Sequence, residues 1–156
     1  MMRLHFRPAE FGERQKIQDM VIESFEPITW FKKLDAQFGP LNGKDWRMRW
    51  QARMSRVFET QIVLVGETGD GIAAMSSGTI EQDAALGYID LLAVDRQFRR
   101  RGYGKEMLRG MMRHMKSFGA QYVYLDCLTD NDTANALYRS EGFAEIARQI
   151  RWFRKI

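Results

Sequence analysis

The sequence predicts an α/β domain on three observations. The stretch Tyr88 to Val94 (YIDLLAV) is an apolar run that breaks at Asp95 into an arginine-laden turn, a glycine pair and an amphipathic helix. Two further strand-like runs, Gln61 to Gly66 and Ile72 to about Ile80, flank ETGDG, a turn of residues that accept positive φ, and so make a hairpin. Helical patterns lie before and after these strands, the interleaving expected of an α/β chain.

Taken in order, Leu4 to Arg7 reads as a short strand stopped by Pro8. Ile17, Met20, Val21 and Phe25 then share one helical face, and Pro27 ends that pattern. The irregular segment from Glu26 to Lys44 reads as a loop with one helical turn at most. Its aromatics Trp30, Phe31 and Phe38 read mainly as side chains packing the loop onto the domain. A second helix is expected from Asp45, its cap, to Glu59, because Trp46, Trp50, Met54, Val57 and Phe58 share a face. After the hairpin, EQDAA turns into the central strand. The helix from Gly102 carries Met107, Leu108, Met111, Met112 and Met115 at helical spacing, methionines that read as core filling, and ends at Gly119, suited to a left-handed cap. AQYVYLDCL gives another strand, Asn131 or Asp132 caps a short helix through Ser140, and FAEIARQIRWFRKI is expected to supply one or two closing strands.

With 156 residues and no repeat or linker, the chain reads as one domain, residues 1–156. No stretch approaches the roughly 20 apolar residues of a membrane span, and the first ten residues lack the apolar core of a secretion signal, so a cytoplasmic protein without a membrane partner is expected. Cys127 is the one cysteine and reads as a packed strand thiol. The net charge of +4 and pI of 9.4 invite a nucleic-acid reading, but much of the excess sits in the Arg96 to Lys105 turn and the Arg148 to Lys155 tail, so none is expected as a partner. No cluster has metal-ligand spacing.

The order strand, basic loop, glycines, helix is suited to an anion. The first helical N–H groups lack carbonyl partners at the positive end of the dipole, and glycines let a phosphate approach. A Walker loop would need Gly at Arg99 and Ser or Thr at Glu106; a dinucleotide fingerprint would need Gly at Met107. What remains is RxxGxG, filled by Arg99, Gly102 and Gly104. This resembles the acyl-CoA-binding segment of the GNAT N-acetyltransferase superfamily. A second match strengthens it: NxxAxxxY, filled by Asn131, Ala134 and Tyr138, followed by Gly142 and Phe143. The resemblance covers residues from Ile72 onward well and the N-terminal part loosely.

The resemblance implies a mixed, mostly antiparallel central sheet of six to seven strands with helices on both faces, and acetyl-CoA as cosubstrate where the central strand parts from its successor. It implies N-acetyl transfer to the primary amine of a small molecule or peptide. The alternatives are another acyl group, a protein amine as acceptor, or a non-catalytic acyl-CoA sensor. Leu92, Ala93 and Val94 would offer backbone to the pantetheine arm, with the Val94 N–H aimed at the thioester carbonyl. The diphosphate would fall to Arg99, Arg100, Arg101, Gly102, Tyr103, Gly104 and Lys105. Asn131 would bond the pantetheine or cap its helix, and Tyr138 would protonate the CoA thiolate. Relatives are often homodimers, and in them the first two helices and their connection wall the acceptor cleft, which gives the Glu26–Lys44 segment a part in acceptor choice.

An amine of pKa about 10.4 must also lose a proton. Alternation places Asp90 on the face of Leu92 and Val94 and makes it the first candidate base, with Glu81 and Asp83 as alternatives. Many relatives carry Glu where this chain has Tyr88. His5 and His114 read as solvent-facing.

Overall fold

The fold is described from a computed structural model covering residues 3–156. The chain divides into two compact units, one ending at Asp126 and the other covering Cys127–Ile156.

The first unit holds five strands, β1 (His5–Pro8), β2 (Ile62–Thr68), β3 (Gly71–Glu81), β4 (Leu86–Val94) and β5 (Tyr122–Leu125), in the spatial order of the chain. Among the described residues it also holds four α-helices, α1 (Arg14–Phe25), α2 (Trp30–Phe38), α3 (Trp46–Thr60) and α4 (Tyr103–Ser117). Neighbouring strands are antiparallel except β4 and β5, which run parallel because α4 crosses between them. The expected mostly antiparallel sheet is therefore present, with five strands in place of six or seven. The missing strands are those expected in residues 143–156, which are irregular: no ladder forms there among the described residues, and Ile146 and Trp152 stay 90% and 86% exposed.

Helices cover both faces. Against one, Ile17, Met20 and Val21 of α1 and Trp50, Met54 and Val57 of α3 pack on Val65, Met75, Leu91 and Ala93. Val65 lies opposite Met75, and Met75 opposite Ala93, so one row of inward side chains crosses three strands. Against the other face lies α4, whose Met107, Leu108, Met111 and Met115 are at most 1% exposed. Each such side chain contributes about 1.5–3 kcal/mol on burial, enough to hold a helix with only ordinary propensity. Gly110 lets α4 come close to β1, since a Cβ there would lie 2.3 Å from the Phe6 ring.

The Glu26–Lys44 segment departs from expectation. Thr29 caps a nine-residue helix, α2, by accepting from the Phe31 N–H, and Phe31 and Leu34 turn inward. Phe31 and Trp30 join the aromatic packing as expected, with Phe31 5.5 Å from Trp50, while Phe38 is 45% exposed. Pro27 and Gly39 bound this helix tightly and only Phe31 and Leu34 of it are buried, which is why it read as loop.

The second unit contains α5 (Asp132–Ser140). Cys127 lies beyond the end of β5 and is half-buried, so it is not the strand residue expected from the sequence. No helix among the described residues is long and apolar enough to cross a membrane.

Candidate functional site: the open edge of the central strand

The site begins with a mismatch in strand length. β5 pairs with β4 only from Leu86 to Ile89, while β4 runs on to Val94. Beyond Ile89 that edge of β4 has no strand beside it among the described residues. Backbone parity decides which groups this frees. The Asp95 N–H donates to Ala73 O at 2.8 Å, so Asp95, Ala93 and Leu91 direct their amides and carbonyls to β3. Leu92 and Val94 point the other way, toward the open edge. Of the three residues expected to offer backbone to the arm, Leu92 and Val94 direct theirs to the open edge, and Ala93 directs its own to Met75 of β3.

A β-bulge lies just before this edge. Ser77 pairs with Leu91 and Gly78 with Ile89, so Asp90 is the extra residue. The bulge shifts parity and overturns the expectation that Asp90 shares a face with Leu92 and Val94. Asp90 lies on the α3 side, where its Oδ1 accepts from Arg53 Nη2 at 2.7 Å and its Oδ2 from Gln61 Nε2 at 2.9 Å. Tyr88, on the same side, stacks on Tyr124 at 4.8 Å, and burial, helped by the Asp90 and Asp126 carboxylates, pushes its phenol up to about 12. Glu81 and Asp83, the alternative bases, are exposed at and just beyond the end of β3.

After β4 the chain makes a single turn of tight helix over Arg96–Phe98, capped by Asp95 Oδ1 accepting from the Gln97 N–H at 2.9 Å. Arg100 (φ 64°) and Gly102 (φ 78°) then take left-handed conformations. That backbone is natural for Gly102, where a Cβ would meet nothing within 4 Å, and costs about 1 kcal/mol at Arg100. The first intrahelical bond of α4 runs from the Glu106 N–H to Gly102 O at 3.2 Å, so the Tyr103 and Gly104 amides precede it. They form the anion-ready end of the helix.

The arginines divide their contacts. Arg99 Nη2 lies 3.4 Å from Ser24 Oγ, the Arg101 guanidinium lies 5.7 Å from the Phe98 ring centre, and Arg96 Nε lies 3.3 Å from Glu23 Oε1. The Tyr103 side chain is 2% exposed with its hydroxyl unpartnered, so this residue offers the loop its amide alone. Glu106, where a Walker loop would carry Ser or Thr, instead accepts from the Leu4 N–H and ties β1 to α4.

In the second unit, Asn131 Oδ1 accepts from the Ala134 N–H at 3.3 Å, the capping role that was one of its two readings. Tyr138 sits on α5 with its ring 5.9 Å from Phe143, and burial pushes its phenol up to about 12.

Sequence reasoning did not find Ser24, Arg53 or Gln61, which come from α1, the middle of α3 and the residue that follows α3. The bulge had a signal: Gly78 inside a strand marks a bulge or a close backbone approach.

An open edge of β4 beside a glycine-punctuated arginine loop and a helix N-terminus has the donor pattern suited to an extended ligand ending in phosphate. The chain belongs to the GNAT acetyltransferase family, whose model matches residues 28–143. Over 66 residues it is 36% identical to the N-alpha-acetyltransferase RimI of Mycobacterium tuberculosis, covering 42% of this chain and 40% of that protein. Over 74 residues it is 36% identical to the glucosamine 6-phosphate N-acetyltransferase of Arabidopsis thaliana, covering 44% and 50%. The match thus spans half or less of the length of these relatives. The solved structure of that plant enzyme superposes with a TM-score of 0.60 at 23% identity over 97% of this chain and 99% of that one. The aminoglycoside acetyltransferase AAC(6')-Iy, bound to a bisubstrate analogue of CoA and acetylneamine, superposes with a TM-score of 0.69 at 12% identity over 99% of each chain. These superpositions show a shared fold.

Proposed function

We propose that this chain transfers the acetyl group of acetyl-CoA to an amine. The observation that carries the reading is the adjacency of two donor sets on one continuous stretch. These are the Leu92 and Val94 backbone at the open edge of β4, and the Tyr103 and Gly104 amides behind Gly102. The edge suits an extended arm bearing amides, and the helix end suits a diphosphate, with Arg99, Arg100, Arg101 and Lys105 adding charge. The matched relatives include enzymes named for N-acetylation of α-amines and of an amino sugar.

In the reaction the amine nitrogen bonds to the thioester carbon, the C–S bond breaks, and CoA leaves as a thiolate. The Leu92 carbonyl and the Val94 N–H hold an amide unit of the arm and so position the thioester along the β4 edge. Tyr138 gives its proton to the thiolate. Asp90 accepts the proton the amine loses, through a water, since its oxygens keep lone pairs beyond those taken by Arg53 and Gln61.

The test is a thiol-release screen with acetyl-CoA and propionyl-CoA against polyamines, amino acids, aminoglycosides, amino sugars, peptides and a lysine-bearing protein. Free CoA should appear with at least one amine class and with acetyl-CoA preferred. Uptake of acetyl-CoA without thiol release across the whole panel would contradict catalysis and leave a sensor.

A further inference from the structure

We infer that Ser24 biases the register in which the coenzyme's arm lies along β4, an inference that rests on the acetyl-CoA reading above. Ser24 occupies the last turn of α1, where a serine hydroxyl ordinarily bonds back to its own helix. Here it reaches across the fold, and its Oγ donates to the Val94 carbonyl at 3.1 Å. Arg99 Nη2 lies 3.4 Å from the same Oγ. A hydroxyl has one proton and two lone pairs, so an arginine on a lone pair leaves the proton for Val94 O and polarises it.

The capped carbonyl is one of the few groups that an extended ligand would use. Leu92 and Val94 face the open edge, which offers the Leu92 carbonyl, the Val94 N–H and then the Val94 carbonyl in succession. In a parallel ladder a ligand amide unit opposite Ala93 bridges the first two. An arm shifted one step toward the arginine loop would need the Val94 carbonyl, where Ser24 already holds one of the two lone pairs and the added donor must compete with it. Ser24 therefore weights the arm toward one register, after which it leaves the strand toward Arg99.

Ser24 does not depend on a ligand for its position. The neighbouring Glu23 pairs with Arg96 at 3.3 Å and fastens the end of α1 to the loop. Ser24 is thus a positioning residue: it acts through the backbone of Val94 and touches no reacting atom.

The test compares Ser24→Ala and Ser24→Thr with the parent protein. It measures acetyl-CoA affinity by calorimetry, kcat and KM with an acceptor from the screen, and the thermal unfolding midpoint. In the Ala variant the freed carbonyl admits a shifted, unreactive register. The acetyl-CoA Kd and KM should then fall about fivefold, the worth of one added hydrogen bond, and kcat should fall with them so that kcat/KM is unchanged. Ser24→Thr, which keeps the hydroxyl, should restore parent values. An Ala variant with parent constants, one with weaker acetyl-CoA binding, or one whose kcat/KM falls together with its unfolding midpoint would overturn the inference. A parent protein that takes up no acetyl-CoA would overturn the underlying reading as well, and the parent titration alone reveals that case.

Discussion

Tyr138→Phe should lower kcat about 100-fold while leaving acetyl-CoA affinity within about twofold of the parent, the pattern of a lost general acid. The phenol is pushed up to about 12 by burial, so it stays protonated at neutral pH and is available as a donor. For separated groups, transfer to a thiolate of conjugate-acid pKa about 8.5 would be uphill. In the proposed reaction, surroundings that disfavour the phenolate would disfavour the thiolate as well, which would bring the two proton affinities together as the C–S bond breaks. The raised value also fixes a sign. The protonated, active form persists as pH rises and is lost only toward about 12, so Tyr138 contributes no alkaline fall in rate near pH 9. Measuring kcat by thiol release and affinity by calorimetry checks both parts. A Phe variant with parent kcat would remove Tyr138 from the chemistry.

Gly78→Ala should destabilise the fold by about 3 kcal/mol, the largest single-methyl effect expected in this chain. A Cβ at Gly78 would lie 2.1 Å from the backbone oxygen of Tyr88 and 2.7 Å from the Met115 methyl. The methionine can move. The Tyr88 carbonyl cannot, because it belongs to the strand that pairs with β3 through the bulge. Relief would require β3 and β4 to separate at the point that sets the parity of Leu92 and Val94. Urea unfolding should show a midpoint lower by roughly 1 M or more for an m-value of about 1–3 kcal/mol per M. Any folded fraction should bind acetyl-CoA less well. An unchanged midpoint would mean that the bulge tolerates a side chain and is not what holds the register.

Much of the architecture was legible because it rests on local periodicity. The α4 methionines, the Asp45 cap and the β2–β3 hairpin follow from spacing and turn chemistry, and the structure has them within a few residues of the expected bounds. The strand–loop–helix around Arg99 to Gly104 was legible because phosphate-binding loops need glycines at fixed offsets. Other features were less legible. α2 offers only two inward residues between two breakers, too few to register as a helical face. The bulge at Asp90 hides in a run whose alternation is otherwise regular, so simple period-two counting carried Asp90 to the wrong face. The tail has the composition of a strand, but a strand exists only where a neighbour pairs with it, and residues 143–156 have no such ladder among the described residues. Long-range polar ties such as Ser24 to Val94 and Arg53 to Asp90 leave no trace in spacing.

The central claim is that backbone amides at Val94 and at the start of α4 receive acetyl-CoA. Amide-resolved NMR of the 15N-labelled protein during an acetyl-CoA titration tests it directly. The account predicts saturable shifts at the Val94 and Gly104 amides with one common Kd, and much smaller changes at Ala93, whose N–H is committed to β3. Saturation with Val94 and Gly104 unmoved, or no saturable shift anywhere, would contradict it.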